Sequence, residues 1–241
     1  MPVDKLSLPA ITRRPRHTPD WPDVPPLLAR ILAGRGVDDP AQLNLALKRL
    51  PHPSSFTGLR GAVELLLQGR SDHWRLCIVG DYDADGATAT TLMVRGLELL
   101  GFPRPDFLVP DRFEYGYGLS PAIVELAQQQ YQPDLIITVD NGIASVDGVA
   151  AARARGIKVL ITDHHLPGDT LPEADALVNP RLPGCEDFPA ANLAGVGVAF
   201  YLLMDLQRAL REQGFTPTAP ITDLLDLVAL GTVADGVSLD D

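Results

Sequence analysis

The sequence predicts an α/β fold: a mainly parallel five-stranded sheet with helices on both faces, preceded by a small helical segment. Three observations predict it. From Arg75 onward, short apolar runs alternate with amphipathic segments at the spacing of βαβ units. Those runs are the length of buried strands. Before Arg75 the pattern is helical, with prolines at the breaks.

In chain order, residues 1 to about 20 carry four prolines and read as an irregular arm, without the apolar core of a secretory signal. Pro25 to Gly36 reads as a helix with prolines at its start and glycine at its end. Ala41–Leu50 and Gly58–Gln68 read as two more helices, separated by a turn at Pro51–Ser55. The expected strands are Arg75–Val79, Asp106–Val109, Leu135–Val139, Val159–Ile161 and Ala176–Val178. Between them lie helices over Ala87–Leu100, Pro121–Gln129 and Val146–Arg155. Ala191–Leu210 and Ile221–Val233 close the chain as helices. We expect a preface over residues 1–70 and a single domain over 71–241.

Charged residues at 21% and hydrophobic residues at 46% are ordinary for a globular protein, and no apolar run reaches the length of a membrane span. Only Cys77 and Cys185 occur, far apart, which argues for a reducing compartment, the cytoplasm, and against a disulfide scaffold. The net charge of −11 points away from a broad phosphate-tracking groove. It does not exclude a small phosphate-cleaving pocket, because bound cations neutralise clustered carboxylates locally.

Chemistry gathers where the strands end, the place where open α/β sheets bind ligands. After the first strand come Asp81, Asp83 and Asp85 on alternate residues, which an extended or tightly turned backbone projects to one side. Such crowding is costly without a cation, so the stretch is either a metal site or a solvated acidic turn. It is not an EF-hand, whose twelfth position would be Leu92 instead of Glu. The second strand delivers Asp111 and Arg112, polar groups of a metal site or a surface ion pair. The third delivers Asp140-Asn141-Gly142, a ligand or simple turn chemistry. The fourth delivers Asp163, His164 and His165, with an N-cap as the alternative for Asp163. Arrival of all these groups at strand ends favours a shared site. Carboxylates with imidazole and no thiolate suit Mn²⁺, Mg²⁺ or Zn²⁺, with Mn²⁺ favoured by the oxygen-heavy set. A cluster this large has room for two ions acting on a phosphoryl group. Gly195-Val196-Gly197, before a helix, is read as close packing against the sheet in preference to a phosphate cradle. By its own context Asp235 does not stand out from Asp226 or Asp240.

The stretches VGDYDADGAT, PDRFEYGYGLS, LIITVDNGI, ITDHHLPG, NLAGVGVAF and LGTVAD together resemble the DHH phosphoesterase family, named for the triplet Asp163-His164-His165. Within it they resemble its bacterial 5′→3′ exonucleases specific for single-stranded DNA, from about Gly58 to the last residues. The resemblance implies that Asp83, Asp85, Asp140, His164 and Asp235 are metal ligands for two Mn²⁺ or Mg²⁺ ions, with Asp140 bridging. It adds Asp81 as a ligand or close partner, His165 as the group contacting the scissile phosphate, and Arg112 as a further phosphate contact. It implies hydrolysis of terminal phosphodiesters of single-stranded DNA to mononucleotides in DNA repair and recombination. Its implied partners are single-stranded DNA, a single-stranded-DNA-binding protein and a helicase; no membrane is involved and the protein is a monomer. After Asp235 this chain reads Gly236-Val237-Ser238-Leu239-Asp240-Asp241, where the family has a valine and proline and continues. A DHHA1-type domain and an oligonucleotide-binding domain normally follow. The expectation is therefore an N-terminal catalytic portion, active or inactive by itself. The alternatives are a phosphodiesterase for short oligonucleotides or cyclic dinucleotides, and a catalytically dead scaffold. A scaffold should have lost ligands, and every expected one is present.

Overall fold

The five apolar runs pair into one wholly parallel sheet: β1 (Leu76–Val79), β2 (Asp106–Leu108), β3 (Leu135–Val139), β4 (Lys158–Thr162) and β5 (Ala176–Val178), in the order β2-β1-β3-β4-β5. The computed structural model describes residues 18–44 and 46–238. The arm expected before residue 18, and Leu239 to Asp241, lie outside the described residues. The chain divides into two compact units, Met1–Leu50 and Pro51–Asp241.

In the second unit, alternate strand residues face opposite ways and bury against different helices. Leu76, Ile78, Leu135, Ile137, Val139 and Leu160 join the core formed with α2 (Leu59–Ser71), α3 (Ala84–Leu99) and α7 (Gly195–Glu212). Cys77, Val79, Ile136, Val159 and Ile161 face α5 (Pro121–Gln130) and α6 (Val146–Ala154). Helices therefore cover both faces, as the sequence predicts. A short helix, α4 (Arg112–Tyr115), follows β2, and α8 (Leu225–Asp235) packs on α3 and α7 after a 3₁₀ turn over Ile221–Leu224.

The register does the positioning. Val79 pairs with Thr138 and Val139 pairs with Thr162, so β1, β3 and β4 end at one level. The order also reverses beside β1: the chain goes to β2 on one side and to β3, β4 and β5 on the other. The loops after β1 and β3 thus part at a switch point, the crevice where open sheets bind ligands.

The first unit contains α1 (Pro26–Ala33), started by proline and burying Ala29. The helix expected over Ala41–Leu50 does not form. The described residues instead make two 3₁₀ turns, Pro40–Leu43 and Leu47–Arg49. Asp39 and Gln42 cap the first reciprocally, and Asn44 takes the Ala46 N–H on its side chain. Local side-chain acceptors of this kind compete with the helix ladder. Leu43, Leu47 and Leu50 are exposed, so burial does not rescue the helix. Helix α7 likewise starts later than the expected Ala191, at Gly195, where its first N–H groups turn to a carboxylate from another element.

Candidate metal centre

The loop after β1 spreads its three carboxylates over different tasks. Asp81 is buried; its Oδ1 accepts the Tyr82 N–H at 2.7 Å and the Arg112 Nε–H at 2.9 Å, and a guanidinium NH₂ donates to Oδ2. Asp83 caps α3, accepting from the Gly86 N–H at 2.9 Å, and its other oxygen lies 3.2 Å from Arg112. Asp85 lies in the first turn of α3. The helix begins at Ala84, so the alternation that would put all three on one side ends there. Asp85 is instead buried against the start of α7, its two oxygens accepting the Gly195 N–H at 2.6 Å and the Val196 N–H at 2.9 Å. A helix N-terminus is a favourable place for a negative charge.

Asp140 follows β3 directly, in a left-handed conformation (φ 62°) that few residues other than glycine adopt. It is held there because its N–H donates to the Thr162 carbonyl at 3.0 Å, and because the Asn141 amide donates to the carbonyls of Val79 and Val139. Asp163 follows β4, fully buried. Its carboxylate accepts the N–H groups of Ile143, His164 and His165 and lies 2.7 Å from His165 Nδ1.

These supports converge on one space. His164 Nε2 lies 3.1 Å from Asp140 Oδ1 and 4.0 Å from both Asp85 Oδ2 and Asp235 Oδ2. Three sets of ligand atoms fall within 4.8 Å of one another: Asp81, Asp83 and Asp140; Asp85, His164 and Asp235; and Asp140, His164 and His165. His164 Nε2 and Asp140 Oδ1 are buried and face each other, and among the described residues neither finds a well-aligned hydrogen-bond partner. Buried polar atoms are ordinarily bonded, and exceptions call for an ion or a water. The donor set fits divalent cations: carboxylate oxygens with one or two imidazoles and no thiolate. Backbone closes tightly around it. A Cβ at Gly195 would stand 2.6 Å from Asp140 Oδ1, so only glycine lets α7 approach there.

The charges are strained without a cation. Burial pushes the Asp140 carboxyl up to about 7, with neighbouring Asp85 adding to the rise and His164 opposing it. Burial also raises Asp85, partly offset by its two backbone donors. Burial works against a charged His164, but Asp140 beside it outweighs that and raises its pKa. The hydrogen bond to Asp163 lifts His165 to about 9. Asp163 itself is held below the usual range: burial alone would raise it, but His165 and the backbone donors prevail.

All the residues proposed as ligands or phosphate contacts from the sequence thus lie at this end of the sheet. Asp81, Asp83, Asp85, Asp140, His164, His165 and Asp235 offer nitrogen and oxygen atoms close enough together to hold an ion, and Arg112 spans Asp81 and Asp83. Asp111 does not pair with Arg112; it caps α4 through the Phe113 N–H. Gly195 and Val196 serve neither a phosphate nor the sheet alone, since they cradle the Asp85 carboxylate. Sequence reasoning does not find Tyr117. Its hydroxyl donates to the Asp140 carbonyl at 3.3 Å and lies 3.2 Å from His165 Nδ1, with Arg112 5.5 Å from its ring centroid. The only signal is its place in PDRFEYGYGLS, where nothing marks one tyrosine above the other.

Comparison with known proteins gives a consistent match. The DHH family, N-terminal domain, matches residues 75–232. The chain is 51% identical over 223 residues to the single-stranded-DNA-specific exonuclease RecJ of Salmonella typhimurium, covering 90% of this chain and 38% of that protein. A crystal structure of exonuclease RecJ bound to manganese superposes with a TM-score of 0.64 at 38% identity, over 76% of this chain and 44% of that one. RecJ of Thermus thermophilus in complex with Mn²⁺ gives 0.67 at 34% identity, over 87% and 28%. This chain spans well under half the length of these relatives.

Proposed function

This chain belongs to the DHH family, and from that premise we infer that it is the catalytic portion of a metal-dependent 5′→3′ exonuclease for single-stranded DNA. The observation that carries the reading is the convergence of buried Asp85, Asp140 and His164 with exposed Asp235 on one space, where Asp140 Oδ1 and His164 Nε2 have no well-aligned hydrogen-bond partner among the described residues. Asp85, His164 and Asp235 would hold one Mn²⁺ or Mg²⁺ ion, Asp81 and Asp83 a second, and Asp140 both. When bound, such a pair lowers the pKa of a water and offsets the charge developing on the phosphoryl oxygens of an in-line displacement.

The chain's own groups complete the chemistry. His165, whose Nδ1 meets the Asp163 carboxylate at 2.7 Å and the Tyr117 hydroxyl at 3.2 Å, would turn its Nε2–H to a non-bridging phosphate oxygen. Arg112 reaches the same edge, where it neutralises Asp81 and Asp83 and can turn to the phosphate. Water adds to phosphorus, the P–O bond to the terminal nucleotide breaks, and a mononucleotide leaves. In this reading residues 71–241 are the catalytic domain, with α2 before it packed into the same core, and the rest of 1–70 is a preface. It extends to action as a monomer in the cytoplasm, in DNA repair and recombination, beside a single-stranded-DNA-binding protein and a helicase. The free, buried Cys77 and Cys185 suit a reducing compartment. Among the described residues no helix is long and apolar enough to cross a membrane.

The test is degradation, with Mn²⁺, of a long single-stranded oligonucleotide labelled at its 5′ or 3′ end, beside a dinucleotide and a cyclic dinucleotide. Release of mononucleotide from the 5′ end of the long strand is expected. Preference for either dinucleotide would replace this reading with a small-substrate phosphodiesterase.

A further inference from the structure

Carboxylates and imidazoles of the centre leave strands β1, β3 and β4, and each outer strand delivers an arginine beside them: Arg112 after β2 and Arg181 after β5. The two are held differently. Arg112 lies between the carboxylates of Asp81 and Asp83. Arg181 has no carboxylate partner among the described residues. Its Nε–H donates to the His164 carbonyl at 3.0 Å and its Nη2–H to Asn192 Oδ1 at 3.4 Å, while Nη1 donates to none of them. Backbone sets this arrangement. Thr162 pairs with Val178, so β4 and β5 end at one level, one strand spacing or about 4.8 Å apart. Asn179, fully buried in the turn that follows, ties that turn to the histidine loop. It donates to the His165 carbonyl at 2.9 Å and accepts the Arg181 N–H at 2.8 Å. Arg181 itself is exposed.

A backbone carbonyl asks for one N–H, which any donor can supply. Arginine offers several in a planar fork that matches the oxygens of a phosphate. The chain carries −11 and gathers carboxylates at this end of the sheet, so an approaching phosphate is repelled unless a cation there is left unspent. Arg112 is shared between two carboxylates; Arg181 is not. We propose that Arg181 is a phosphate-binding residue, holding a phosphate next to the one that His165 faces and gripping the strand from the β5 side of the metal centre. The proposal rests on the single-strand nuclease reading and adds to it a subsite for a second phosphate.

The experiment measures binding of a cleavage-resistant phosphorothioate oligonucleotide to the parent chain, Arg181→Gln and Arg181→Lys. It is read by fluorescence anisotropy with Mn²⁺ present, at several salt concentrations. Mn²⁺ affinity of each protein and mononucleotide release from an ordinary strand are measured beside it. Arg181→Gln should bind the strand roughly fivefold more weakly at low salt. It should also flatten the slope of log affinity against log salt by about 0.7, the share of one single-strand phosphate. Arg181→Lys keeps the charge and should keep that slope, although it loses the fork on the His164 carbonyl. Mn²⁺ affinity should be the same in all three. Strands carrying one neutral methylphosphonate linkage each then locate the phosphate: one linkage should weaken the parent by the same factor and leave Arg181→Gln unaffected. A parent that does not bind the strand, or an unchanged salt slope in Arg181→Gln, would overturn the proposal. Equal losses in both variants together with weakened Mn²⁺ binding would overturn it too, leaving Arg181 as a brace for the histidine loop. Failure to release mononucleotide from the ordinary strand would sink the nuclease reading alone, because anisotropy still decides the phosphate contact.

Discussion

Buried Asp81 and half-exposed Asp83 share a guanidinium at the edge of the site, whereas the side chains of Asp85, Asp140 and His164 are buried a few ångströms away with no arginine or lysine on them among the described residues. Both halves are anchored by backbone, but they differ in how charge is handled. On the outer side Arg112 already offsets both carboxylates, and water screens Asp83 further. On the inner side the helix N-terminus supports Asp85, while Asp140 and His164 keep ligand atoms that bond to nothing. The inner half is therefore where a cation would be most rewarded, and the outer half where one would be held more weakly.

The sharpest way to break that contrast is Gly195→Ala. A Cβ there meets Asp140 Oδ1 and pushes α7 away from the inner carboxylates. We expect a loss of roughly 10–100-fold in Mn²⁺ affinity and about 1–3 kcal/mol of stability, measured by calorimetry and by denaturant unfolding. Unchanged metal affinity would show that the tight approach of α7 is irrelevant to the centre.

A smaller effect should appear in the metal-free protein as pH changes. The Asp140 carboxyl sits at about 7 in the folded chain against an ordinary 3.8, so the folded state holds a proton that the unfolded chain releases. That contribution is complete below pH 3.8 and is lost as pH rises through 7, so this group makes the metal-free chain less stable above pH 7 than in mild acid. The difference is on the order of 2 kcal/mol. Asp140→Asn should flatten this slope, and excess Mn²⁺ should stabilise the parent most above pH 7. Parallel stability–pH curves for parent and variant would contradict the assignment. Asp163, whose pKa is lowered, works in the opposite sense: its contribution is present above 3.8 and is lost only in acid.

The smallest effect belongs to the outer half. Arg112→Gln removes a partly exposed guanidinium whose pair with half-exposed Asp83 contributes about 1 kcal/mol or less, while buried Asp81 keeps the Tyr82 N–H. Two Mn²⁺ ions should still bind, while turnover of single-stranded DNA falls. A large loss of stability on thermal unfolding would show that Arg112 is structural.

The sheet is legible in the sequence because buried parallel strands are short, apolar and separated by helix-length segments; Leu135–Val139 and Ala176–Val178 match to the residue. The Ala41–Leu50 helix is misread because Asn44 and the Asp39–Gln42 cap win over a weak periodicity with nothing to bury it. Within the site, groups that leave a strand end directly, such as Asp140 and His164, can be read from position. Contacts closed by distant segments cannot. The bond from Asp85 to the start of α7 spans 110 residues, and Tyr117 reaches His165 across 48. Asp235 is visible only through family resemblance, because its role depends on where α8 ends.

The most direct test of the inner, buried centre is a calorimetric titration of Mn²⁺ into the parent chain beside Asp140→Ala. The account predicts two ions bound by the parent, and binding lost or crippled in the variant, because Asp140 lies within reach of both ligand sets. A folded parent that binds no Mn²⁺, or a variant that binds as the parent does, would contradict it.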